Sequence, residues 1–180
     1  VAGVLAPATV TAFKIEGSFD NPAPSTPREY SVVVAIRNQQ RDRRVDARAV
    51  RRLVLWTLST LRVTGELAIH LIPAPRMAEI NWAFLRHEGS TDVITFDQGS
   101  SALRLHGEIF ISVADAVSQA REFRTDWQQE LARYVIHGLL HLAGYDDREP
   151  DLRRRMKRVE EEFLGRADDE GLTRLAAVES

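Results

Sequence analysis

Apolar and polar positions along this chain recur with two periods, and the places where one gives way to the other mark the elements. "YSVVVAI" (30–36) is a run of β-branched residues and reads as a strand. After an Arg-rich turn, "DARAVRRLVLWTLSTL" places Ala47, Val50, Val54, Leu58 and Leu61 at helical spacing. "TGELAIHLI" (64–72) returns to a strand pattern, and "PRMAEINWAFL" (75–85) is a helix introduced by proline. "TDVITF" and "GEIFISV" follow as two more strands, then "ADAVSQAREF" as a helix. "DWQQELARYVIHGLLHL" (126–142) is a longer helix with Thr125 or Asp126 as its N-cap, and a charged amphipathic helix spans roughly 149–164. The fold class this implies is α/β (α+β): a single small domain with an about four-stranded mixed sheet packed with about five helices. "NPAPSTPREY" has the composition of a linker. The division expected is an N-terminal extension over 1–27, poorly ordered and set apart from the functional argument, a domain over 28–165, and a polar C-terminal tail over 166–180.

Composition sharpens this picture at three points. A chain of 180 residues, 44% apolar and 28% charged, has the material for one sizeable core. With no cysteine, disulfides, thiolate metal sites and a Cys nucleophile are excluded, so any metal must be held by His, Asp or Glu. A formal net charge of -2 announces no polyanionic partner at the level of the whole chain, so such a partner must be met by a local patch. No apolar run approaches the roughly 20 residues that cross a bilayer, and a soluble, cytoplasmic protein with no membrane partner is expected.

The candidate chemistry lies in "HGLLHLAGYDD" (137–147). His137 and His141 are four residues apart on a helix, so their imidazoles share a face and could share a cation. Gly144 is placed as the C′ residue that ends this helix and turns the chain back, bringing the acids Asp146 and Asp147 toward the same volume. Two imidazoles and one carboxylate leave positions open, the arrangement of a catalytic rather than a structural metal. A zincin protease needs Glu directly after the first His, but residue 138 is Gly. The two-His, one-carboxylate set of non-haem iron oxygenases usually lines a β scaffold, whereas here two ligands come from one helix.

These segments together resemble the YbeY-type metal-dependent endoribonucleases, also called rRNA maturation factors. "HGLLHLAGYDD" is similar to that family's HGxLHLxGYDH signature, "TDVITF" to its TDVLSF strand and "GEIFIS" to its GDIxIS, with Asn81 ahead of them and all in the family's order across roughly 30–164. The resemblance implies His137 and His141 as zinc ligands, one Zn(2+) per chain, and cleavage of single-stranded RNA. It further implies 16S rRNA 3′-end maturation and ribosome quality control as the setting, with rRNA and the ribosome or its proteins as partners.

There are two departures. The family's third ligand is His, and Asp147 stands in its place; an anionic ligand weakens the metal as a Lewis acid and suits Mn(2+) or another hard divalent ion better. The family's Arg aligns with Leu85, which leaves Arg86, one residue on, as the candidate substrate-binding residue. A competing class follows from the first departure: a catalytically weakened, ribosome-associated RNA-binding factor. A third class, a metal hydrolase acting on peptides or small molecules, would lack affinity for RNA.

Phosphodiester cleavage needs a nucleophile, charge neutralisation and help for the departing oxygen. Water and the RNA's own 2′-hydroxyl are both admissible nucleophiles, and no catalytic residue is assigned. Glu108, on the strand matching GDI, is a candidate proton acceptor or partner to a ligand imidazole, and equally an edge-strand acid facing solvent. "RNQQRDRRVDARAVRR" (37–52) and "DLRRRMKR" (151–158) are the two candidate phosphate-binding surfaces, each also readable as the polar face of a helix. Trp82, Phe84 and Trp127 could stack on bases, although aromatics at helical spacing are more often core.

Overall fold

A computed structural model describes residues 12–14 and 32–177. Its elements run β1 (Ala12–Lys14), β2 (Val33–Asn38), α1 (Ala47–Leu61), β3 (Thr64–Ile72), α2 (Ala74–Leu85), β4 (Val93–Asp97), β5 (Arg104–Ser112), α3 (Val113–Phe123), α4 (Trp127–Leu142) and α5 (Pro150–Asp169). The sheet has the order β1-β4-β5-β3-β2. β2, β3 and β5 are mutually parallel, β4 is antiparallel to β5, and β1 pairs parallel with β4. The mixed α/β sheet with five helices agrees with the sequence reading. The four strands it identified form the body of the sheet, and three residues of the set-aside extension add β1 at one edge. The rest of 1–27 lies outside the described residues.

Strand alternation divides the core in two. Leu67, Ile69 and Leu71 of β3 and Leu105, Ile109 and Ile111 of β5 face a large cluster with α1, α4 and α5. Ile72, Ile94 and Phe96 face the other side, where Met77 and Ile80 of α2 cover them. α4 lies directly on β4 and β5, and Gly138 is what lets it do so. A Cβ at that position would meet Ile109 Cγ2 at 2.7 Å and Cδ1 at 3.0 Å. Gly138→Ala should therefore destabilise the protein by about 1–3 kcal/mol through overpacking, read as a lower denaturant midpoint with unchanged slope. The same crowding bars a Glu at this position from the sheet side of the helix.

The C-terminal boundary needs correction. The expected 166–180 tail instead continues α5 to Asp169 and then packs. The apolar stripe Met156, Phe163, Ala167 runs straight through Gly165, and Leu175 is fully buried. The Asp46 amide donates to the Leu175 carbonyl and that of Ala177 to the Arg44 carbonyl, so this segment closes over the start of α1. Residues 178–180 lie outside the described residues.

Candidate metal centre

Asp126 caps α4 by accepting from the Gln128 amide at 2.9 Å, which settles the choice between it and Thr125. At the other end, Gly144 adopts φ +89°, its amide donates to the His141 carbonyl and that of Tyr145 to the Leu140 carbonyl, both at 3.0 Å. This is a Schellman closure, and it turns the chain back alongside the last turn of α4. The returning backbone places the Tyr145 carbonyl 3.1 Å from His141 Nδ1 and buries Asp147 to 9% exposure.

The two acids now separate. Asp146 is engaged by the Arg148 guanidinium, with Nε 2.8 Å from Oδ2, and hydrogen bonding from Arg148 pulls its carboxyl down to about 2. Asp147 turns inward, and its Oδ1 is buried without a hydrogen-bond partner. One ligand atom from each of His137, His141 and Asp147 lies within 4.8 Å of the others, so these three form a group that could hold a metal ion.

The hydrogen bonds around the trio fix which atoms face its centre. A backbone carbonyl can only accept, so His141 Nδ1 carries the proton it donates to Tyr145. His137 Nδ1 lies 2.6 Å from Glu160 Oε2, and Arg133 Nη1 donates to the other Glu160 oxygen at 2.9 Å. Burial alone would raise the Glu160 carboxyl, but the His137 and Arg133 contacts outweigh it and hold it below the ordinary glutamate value. An ionised Glu160 accepts from His137 Nδ1. Both Nε2 atoms are then lone-pair donors, and they face each other at 3.0 Å with an unpaired carboxylate oxygen beside them. Three electron-rich atoms converging without a proton or cation between them repel, and a divalent cation relieves that repulsion.

Burial first, and the His137 imidazole second, push the His141 imidazole down to about 4 from 6.5. Between those values the unfolded chain binds more protons than the folded one. The stability of metal-free protein should therefore be fully present above about pH 6.5 and fall as the pH drops toward 4, by on the order of 2 kcal/mol. Denaturant midpoints in chelator across that window check this, and a flat profile would contradict it.

Glu160 is the functional residue the sequence reading missed. Its signal was present: it occupies the buried stripe of α5 between Met156 and Phe163, where an apolar residue is expected. Glu160→Gln should weaken metal binding roughly 10–100-fold by loosening the His137 tautomer and orientation, measured by competition with a chromophoric chelator. An unaltered affinity would remove Glu160 from the site. Glu108 does not take this part. It lies on the α2 side of β5, where its Oε2 is 2.7 Å from His70 Nε2 and its Oε1 accepts from Gln98.

Arg86 ends α2 in the left-handed region at φ 58°, with its side chain exposed. The loop that follows is pinned by buried Asn81, whose Nδ2 donates to the Gly89 carbonyl at 3.0 Å. It runs to Asp92 at the start of β4, the strand that α4 packs on, so this loop leads from Arg86 toward the helix that carries His137 and His141. Trp127 packs against the core, whereas Trp82 and Phe84 are 51% and 52% exposed.

Against known proteins, residues 35–168 match the family model described as Endoribonuclease YbeY. A protein of Salinibacter ruber carrying that name is 29% identical over 147 residues, 77% of this chain and 94% of that one. Its namesake in Chlorobium luteolum is 45% identical over 85 residues, 47% of this chain and 61% of the relative. The one in Bacteroides fragilis is 37% identical over 100 residues, 56% and 71% of the two chains. A solution structure of a Thermotoga maritima protein superposes with a TM-score of 0.55 at 22% identity, over 82% of this chain and all of that one. That superposition supports the fold.

Proposed function

The chain belongs to the YbeY endoribonuclease family, and from that premise we propose that it is a metal-dependent, single-strand-specific endoribonuclease. Its setting in this reading is rRNA processing in the cytoplasm, including 16S rRNA 3′-end maturation and ribosome quality control, with rRNA and the ribosome as partners. The observation that carries the metal dependence is that His137, His141 and Asp147 each offer a ligand atom within 4.8 Å of the others, with the two Nε2 atoms 3.0 Å apart and one Asp147 carboxylate oxygen buried without a partner.

A divalent cation held by these three residues would supply positive charge to the phosphoryl oxygens and lower the pKa of a water there. Zinc is the family's ion; the Asp147 carboxylate makes the site less cationic than one with three imidazoles and more accommodating of manganese. The remaining work falls to the chain's own groups. Glu160 and the Tyr145 carbonyl hold the two imidazoles in the tautomer that presents Nε2. Arg133, bridging Glu160 to α4, keeps that carboxylate ionised. Arg153 donates Nε to the Asp147 carbonyl at 2.9 Å and so holds the third ligand's backbone. Arg86 contacts a substrate phosphate at the end of the loop that leads to Asp92.

The test is cleavage of an unstructured single-stranded RNA by untagged protein, stopped by chelation and restored by zinc or manganese. RNA binding without cleavage under every metal tried would favour the other reading, a catalytically weakened ribosome-associated factor. Cleavage that persists in chelator would contradict the metal dependence.

A further inference from the structure

α5 carries its charges the wrong way round for a helix that only has to fold. Its first ten residues, Pro150–Val159, hold five cations (Arg153, Arg154, Arg155, Lys157, Arg158) and one acid, Asp151; its last ten, Glu160–Asp169, hold five acids and one cation, Arg166. The helix macrodipole favours the opposite order, acids at the N-terminus and cations at the C-terminus. Like charges at Arg154 and Arg158, and at Arg155 and Arg158, sit three or four residues apart, where they oppose each other on the helix surface. Folding gains only weak exposed contacts from this arrangement, whereas an external polyanion would gain from the cluster as a whole.

Resting on the RNA-cleaving reading above, we propose that the N-terminal half of α5 is the surface that receives the phosphates of the RNA strand beside the metal group. The helix begins three residues after Asp147, and Arg153 touches that ligand's carbonyl. Arg155 lies over the Tyr145 ring, 5.8 Å from its centroid, and Tyr145 in turn holds His141. All five cations are exposed. Arg154 is paired with Asp151 and Lys157 reaches Glu161 at 3.9 Å. Arg153, Arg155 and Arg158 have no carboxylate partner among the described residues, and their charge is available to a phosphate.

The other Arg-rich segment is placed differently. Arg43 lines a depression with Arg121, Thr125 and Trp127, at the N-terminal end of α4. At 1.5 Å per residue that end is roughly 15–20 Å from His137 and His141. Arg51 is turned to the Val34 carbonyl and Arg43 to that of Asp42. The start of α5 therefore lies nearer the metal group than the Arg43 depression does.

The experiment compares the wild type with two triple variants, Arg154→Gln/Arg155→Gln/Arg158→Gln on α5 and Arg41→Gln/Arg48→Gln/Arg52→Gln on the other segment. Binding of a labelled oligouridylate is measured in chelator across a salt series. Arg153 stays in place because it holds the ligand loop. The α5 variant should lower the slope of log affinity against log salt by at least about 1.4, near 0.7 for each of the unpaired Arg155 and Arg158, and the other variant should leave it unchanged. Metal content should match the wild type in both, and both should still unfold cooperatively on heating. A slope lost only in the second variant would move the RNA surface to α1. If the α5 slope were unaltered while metal-restored cleavage persisted, the surface would be overturned and the nuclease reading would stand. Salt-dependent binding to anionic lipid vesicles, with none to RNA, would overturn both.

Discussion

Replacing His137 with alanine is expected to lower metal-restored cleavage of single-stranded RNA by about 10³-fold or more. The estimate comes from the several kcal/mol of transition-state charge stabilisation that a bound cation provides, at 1.36 kcal/mol per tenfold. The substitution removes one of three converging ligand atoms and leaves Glu160, 7% exposed, with Arg133 as its remaining partner. Single-turnover cleavage at saturating metal measures the loss. His137→Gln, which keeps a donor near Glu160, guards against mistaking unfolding for lost chemistry. If either variant cleaved as the wild type does, the activity would belong elsewhere.

The second large effect concerns Asp147, the third member of the group that could hold a metal ion. Asp147→His replaces a carboxylate with a third imidazole, which raises the charge of the site and softens its donor set. Zinc should bind at least as well as in the wild type, and manganese at least about tenfold more weakly. Competition titrations with each ion separate the two. Manganese affinity equal to the wild type's would show that Asp147 is no ligand, and its buried, unpaired Oδ1 would then need another explanation.

How much of this was legible from residues alone differs by element. β3 matches the strand pattern over 64–72, and α1 and α4 match their helical stripes, the two helices each opening on a capping Asp. The end of α5 was not legible. The sequence reading ends this helix near 164, yet Gly165, facing open space, does not end a helix whose buried stripe continues to Ala167. His137 and His141 were legible because both come from one helix. Spacing alone could not choose between Asp146 and Asp147, which depends on Arg148 capturing one at the surface while the Schellman turn folds the other inward. Glu160 was hidden for a different reason. Its partner is 23 residues away, and only the packing of α5 on α4 brings them together. Glu108 failed as a partner through strand parity: it shares the α2 side of β5 with Phe110, while Ile109 and Ile111 face the cluster under α4.

Everything proposed for this chain depends on His137, His141 and Asp147 holding one divalent ion. Elemental analysis of purified, untagged protein beside Asp147→Ala tests it most directly. About one tightly held metal per chain is expected in the wild type and little in the variant. No metal in either, even after reconstitution with zinc and manganese, would contradict it and leave the two histidines a structural pair.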